Sequence, residues 1–131
     1  GTSHGAYKFK GKAHLRMDIL KEVKKRVKIP LVLHGASGVP LLVVKEAQRY
    51  GAELPGLQGV PDAQIRQAIK NGICKINTDT DLRLAFDAGL RKIIQMHPKD
   101  FDPRHMLGQA RETIQKVAEH RIRLCGSVGK A

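Results

Sequence analysis

The sequence predicts an α/β fold of short parallel strands alternating with amphipathic helices, and three observations predict it. Leu31-Val-Leu33 is an apolar run that opens after Pro30 and has the look of a fully buried strand of the parallel kind. It ends at His34-Gly-Ala-Ser-Gly38, small residues through which a ligand can approach the backbone closely. Ile73-Cys-Lys-Ile76 is a second such run, and it ends in the carboxylate, amide and hydroxyl groups of Asn77-Thr-Asp-Thr-Asp81. Gly1-Thr-Ser-His-Gly5 repeats the His-Gly pair among small residues, as though at the exit of a third strand. Each polar cluster stands before a helix-like segment. Together they point to one composite site at the carboxyl ends of the strands, where α/β folds place ligands.

The elements follow in order. Residues 6–14 have no clean period and are expected to form a mobile loop. Leu15, Ile19, Leu20, Val23 and Val27 recur at helical spacing over residues 15–27, and Lys24, Lys25, Arg26 and Lys28 sit where cations favour the helix dipole. Pro30 ends that helix. Pro40 opens a helix over residues 41–50 that stops at Gly51, and residues 52–60 are a loop. Pro61 opens another, with Ile65, Ala68 and Ile69 as its apolar face and Asn71-Gly72 as its end. After the second strand, a helix over about residues 80–97 carries Leu82, Phe86, Leu90 and Ile93 on one stripe, and Pro98 breaks it. A last helix covers about residues 105–124, and a glycine-containing tail follows. This order implies right-handed crossovers between parallel strands. Two complete strands cannot close a sheet, so the chain is expected to be the C-terminal part of a larger α/β domain.

Composition sets the outer limits. The chain has 131 residues, 41% of them hydrophobic, enough for a core. It has no apolar run long enough to span a membrane and no signal peptide. Cys74 and Cys125 make neither a disulfide framework nor a zinc-type CxxC pair, and Cys74 is expected to be a buried small hydrophobe, which fits a cytoplasmic setting. The net charge of +12 is uneven: residues 1–50 hold eleven Lys/Arg against three acids. Nucleic acid, an anionic small substrate and a solvated lysine face all explain that charge. With two tyrosines, three phenylalanines, no tryptophan and no nucleic-acid-binding motif, a nucleic-acid partner is not expected.

Gly1-Thr-Ser-His-Gly-Ala-Tyr-Lys8, Pro30-Leu-Val-Leu-His-Gly-Ala-Ser37 and Lys75-Ile-Asn-Thr-Asp-Thr-Asp-Leu-Arg83 resemble class II, zinc-dependent fructose-bisphosphate aldolases. So do Phe101-Asp-Pro-Arg104 and Cys125-Gly-Ser-Val-Gly-Lys-Ala131, so the resemblance runs in order through the whole chain. It implies the C-terminal part of a single (β/α)8 TIM barrel over residues 1–131, about the last three strand–helix units plus the C-terminal helices, with the N-terminal half absent. The implied reaction is reversible cleavage of fructose 1,6-bisphosphate to dihydroxyacetone phosphate and glyceraldehyde 3-phosphate, with zinc polarising the ketone. A monovalent cation is a second candidate cofactor.

The resemblance also implies roles for individual residues. His4 and His34 look like two of three histidine zinc ligands, the third lying upstream; a catalytic zinc wants about three protein ligands and an open position. Gly5, Gly35, Ser37, Asp79 and Thr80 would hold a phosphate, Asp79 through its backbone amide because its carboxylate would repel one. Lys8 resembles a lysine of a mobile substrate-binding loop, and Asn77 an asparagine that contacts substrate oxygens. Arg104 would reach across a subunit interface to the second phosphate, implying a homodimer or homotetramer. The proton-transfer acids belong to the upstream half and a mobile loop, so no catalytic acid or base is assigned in this chain. Arg83 is expected to pair with an acid, and His14, His97, His105 and His120 to be solvated or packing residues. A tagatose-bisphosphate aldolase is the nearest alternative; Ser3 and the Thr-Asp-Thr-Asp run at 78–81 favour fructose bisphosphate. An inactive basic fragment is another.

Overall fold

The computed structural model describes residues 13–130. Their order is α1 (Met17–Arg26), β1 (Leu31–Leu33), α2 (Leu41–Arg49), α3 (Asp62–Lys70), β2 (Ile73–Ile76), α4 (Thr80–Met96) and α5 (Pro103–Leu124). The strands pair in parallel, Leu31 opposite Ile73 and Leu33 opposite Ile76, with an irregularity between Leu31 and Val32. The Asn77 N–H donates to the Leu33 carbonyl at 3.1 Å and extends the ladder past the strand ends. The two exits are therefore neighbours.

Local chemistry sets the helix limits. Pro40 and Pro61 stand at the N-caps of α2 and α3, where their carbonyls accept the first helical bonds. Gly51 and Gly72, at φ +86° and +100°, let the chain leave those helices in a left-handed turn. Asp102 caps α5 by accepting from the Arg104 N–H, with Pro103 beginning the helix. No helix among the described residues is long and apolar enough to cross a membrane.

Two apolar clusters hold the layers together. Ala13, Leu15, Ala36, Val60, Ile65, Ala68, Ile73 and Leu124 form one, joining α3, the strand segments and the end of α5. Val39, Val44, Ala47, Ala52, Leu84 and Ala88 form the other, between α2 and α4. The Gln64 side chain fastens the segment before α1, accepting from the Leu15 N–H at 2.7 Å.

Three expectations change here. β1 is not fully buried, since Val32 is 52% exposed, and Cys74 is exposed. Among the described residues the sheet has only two strands, so one face has little to cover it. The expected apolar stripe of α4 is not its buried face. Phe86 is exposed and Leu82, Leu90 and Ile93 are half-buried, while Asp81, Leu84, Ala85, Ala88 and Gly89 are buried. Small residues win because α4 lies between α2 and α5 at close range. A Cβ on Gly89 would stand 2.9 Å from the Ala110 Cα.

Candidate active site

The parallel register brings two of the three expected clusters together. His34, exposed, and Gly35, at φ +65°, begin the loop that leaves β1, and Asn77-Thr-Asp-Thr80 leaves β2 beside it. His4, Gly5 and Lys8, and the mobile loop expected over residues 6–14 apart from its last two positions, lie outside the described residues.

The β1 loop turns inward. Ala36 and Ser37 are buried, at 0% and 1% exposure. The Ser37 carbonyl accepts from the Val60 N–H at 2.9 Å. Gly59 lies against the same turn so closely that a Cβ there would fall 2.2 Å from the Gly38 carbonyl carbon. Val39 has φ +46°, a rare backbone state for a β-branched residue.

What fixes this turn is a buried ion pair that sequence reasoning missed. Asp81, fully buried in the first turn of α4, accepts from the Gly38 N–H at 3.1 Å through Oδ2 and from the Val39 N–H at 2.7 Å through Oδ1. The Arg121 guanidinium from α5 donates to Asp81 Oδ2 at 2.7 Å and to the Ala36 carbonyl at 3.2 Å. Asp81 thus both stands in the first turn of α4 and fastens the β1 turn. A signal existed in the sequence. Asp81 falls in step with Leu84, Ala85 and Ala88, and Arg121 with Val117 and Leu124, so opposite charges interrupt two apolar stripes.

The β2 exit is more open. Asp79 is the N-cap of α4, and its carboxylate pairs with Arg83 at 2.9 Å, as expected for Arg83. Lys75 is exposed. Of the other histidines, His14 and His97 are exposed, while His120 bonds Asp62 at 2.8 Å and His105 lies 3.3 Å from Asp100.

Arg104 stands apart from the strand exits. It is 17 residues before Arg121 on one helix, about 25 Å along the axis at 1.5 Å per residue. Its side chain is 87% exposed and forks onto the Asp102 carboxylate, with bonds of 2.6 and 3.0 Å. That pairing, and next the bond from the Arg104 N–H, holds the Asp102 carboxyl below its ordinary range and raises Arg104.

The donor chemistry at the β1 exit suits a divalent metal, since a neutral imidazole is a good zinc ligand. Among the described residues no group of three or more His, Cys, Asp or Glu could hold one.

The family model for class-II fructose-bisphosphate aldolase matches residues 1–53 and 54–130. The chain belongs to that family. It is 50% identical over its whole length to a fructose-bisphosphate aldolase of Thermus caldophilus, covering 43% of that protein. It is 42% identical to that of Treponema pallidum, covering 44%, and 44% identical to that of Giardia intestinalis, covering 41%. The chain thus spans less than half the length of these curated relatives, all named for an aldolase, a lyase.

Proposed function

We propose that this chain supplies the C-terminal part of a (β/α)8-barrel aldolase that reversibly cleaves fructose 1,6-bisphosphate to dihydroxyacetone phosphate and glyceraldehyde 3-phosphate. The observation that carries the reading is the junction of strand exits. The Asn77–Leu33 hydrogen bond sets Asn77-Thr-Asp-Thr80 beside His34-Gly-Ala-Ser37 on one sheet edge, in a chain of this family.

The roles then follow from chemistry. His4 and His34 would hold a zinc ion with a third ligand from outside the chain, and that ion would act as the Lewis acid on the ketone oxygen. Gly5, Gly35 and the backbone of Asp79, with the hydroxyls of Thr80 and Ser37, would take one phosphate, as N–H groups beside glycine and at a helix start do. Gly38 and Val39 are already committed to Asp81, so anion contacts on the β1 loop fall to earlier residues. Lys8 would steer the substrate and Asn77 would orient its oxygens. Arg104, distant from the exits along α5, would serve the second phosphate of a neighbouring subunit's substrate. Its bond to Asp102 would then be exchanged for phosphate. The proton-transfer groups would come from beyond this chain, and the working compartment would be the cytoplasm.

The test is intact mass and metal analysis of the purified protein, with aldol cleavage of fructose and tagatose bisphosphates assayed before and after chelation. Cleavage of the fructose ester that is lost on chelation and restored by zinc supports the reading. Preference for the tagatose ester moves the assignment to that activity. A species no heavier than 14.5 kDa, without stoichiometric zinc and without cleavage, makes the chain an inactive basic fragment.

A further inference from the structure

The turn after β1 is held from its far side by a residue remote in sequence. Arg121 is near the end of α5, 85 residues from Ala36. Its guanidinium bonds the carbonyl at the start of the turn and the carboxylate that receives the two amides at the end of it. One planar cation and one carboxylate thereby close residues 36–39 into a fixed shape. We propose that Arg121, acting through Asp81, is a positioning residue that sets the geometry of the anion-binding loop at the β1 exit. This rests on the phosphate-binding reading of that loop given above.

The surroundings are those of a mould. The Arg121 side chain is 8% exposed and Asp81 is 0% exposed, so neither charge is displaced cheaply by water. A Cβ on Gly38 would stand 3.0 Å from Arg121 Nη2, so Gly38 leaves room for the guanidinium. Gly59 and the Val60 N–H close the other side. Val39 keeps its left-handed φ between two bonded neighbours, and without Asp81 the loop would relax toward ordinary extended backbone. A second acid, Asp62, lies 3.8 Å from Arg121 Nη1 and is itself bonded by His120, so the guanidinium is kept from turning away. The fork geometry matters as well as the charge, because a lysine ammonium cannot present two coplanar donors to a carboxylate and a third to a carbonyl.

The experiment is amide hydrogen exchange and a titration with inorganic phosphate, both read by NMR on the wild-type chain, R121K and R121L. In R121L the Gly38 and Val39 amides should exchange at least about tenfold faster than in wild type, after normalising to core amides of α3. Phosphate-induced shifts at Gly35 and Thr80 should need several-fold more phosphate. R121K keeps the charge without the fork and should still lose protection at Gly38 and Val39 relative to core amides of α3. It therefore serves as the test should R121L fail to fold. Unchanged protection of those two amides in R121K would overturn the proposal, because the carboxylate would then be holding the loop without the fork. A uniform loss of protection across all core amides would do the same, reducing Arg121 to a general staple. If wild type shows no phosphate-dependent shift at all, the phosphate reading fails, while the exchange data still decide whether Arg121 shapes the loop.

Discussion

Gly89→Ala should destabilise this protein although alanine is the better helix former, and Gly108→Ala should stabilise it. Both glycines lie inside helices, so each substitution gains about 1 kcal/mol from helix propensity. The surroundings differ. A Cβ at Gly108 meets nothing within 4 Å. At Gly89 it would stand 2.7 Å from Thr113 Oγ1, 2.9 Å from the Ala110 Cα and 3.1 Å from the Gln109 carbonyl oxygen. Carbon contacts are best at about 3.5–4.0 Å, so α4 and α5 would have to separate by roughly 0.6–1 Å. Thr113 cannot swing clear without breaking its 3.1 Å bond to the Gln109 carbonyl, and Ala110 and Gln109 meet the new methyl with backbone. Overpacking of this kind costs about 1–3 kcal/mol, and a backbone contact belongs at the upper end. The net expectation is a loss of about 1–2 kcal/mol for Gly89→Ala against a gain of about 1 for Gly108→Ala. Urea unfolding reads this as midpoints moving in opposite directions at constant slope. A Gly89→Ala midpoint equal to or above wild type would refute the close α4–α5 seam, and with it the account of why α4 buries its small residues.

Other outcomes follow from single contacts. Arg16 bonds the Asp18 carboxylate and brings its pKa down to about 2, so its stabilising effect is present above the ordinary carboxylate range and fades as pH falls toward 2. NMR titration should place the Asp18 midpoint near 2 in wild type and clearly higher in Arg16→Gln, which removes the largest of the contacts that lower it. Arg104→Ala should raise the Asp102 midpoint only part of the way, because the Arg104 N–H still donates to that carboxylate, whereas Asp102→Ala should remove the α5 N-cap and cost about 1 kcal/mol in urea unfolding. Gly59→Ala should unfold the β1 turn or the chain, with the Val60 amide losing exchange protection, since the new methyl would lie 2.3 Å from the Gly38 carbonyl oxygen and neither backbone can yield.

Much of the fold could be read directly from residue order. Pro40 and Pro61 open α2 and α3, and Gly51 and Gly72 close them, because these residues act through their own backbone limits. The short runs Leu31–Leu33 and Ile73–Ile76 became β1 and β2, parallel and adjacent, with polar clusters at both exits. The pairing of Arg83 with Asp79 was legible because residues four apart on a helix face each other.

What the sequence by itself determined, then, was each element and the chemistry at its end: helices bounded by proline and glycine, strands that finish in His-Gly and Asn-Thr-Asp, and membership of an aldolase family through those motifs. Only the tertiary structure decided which face of α4 is buried, that β1 and Cys74 are open on one side, and that Arg121 reaches Asp81. Local pattern records a residue's neighbours along its own helix, but burial depends on what arrives from elsewhere. A close seam selects alanine and glycine over phenylalanine, and a charge inside an apolar stripe is tolerable only when its opposite comes in from another element to meet it.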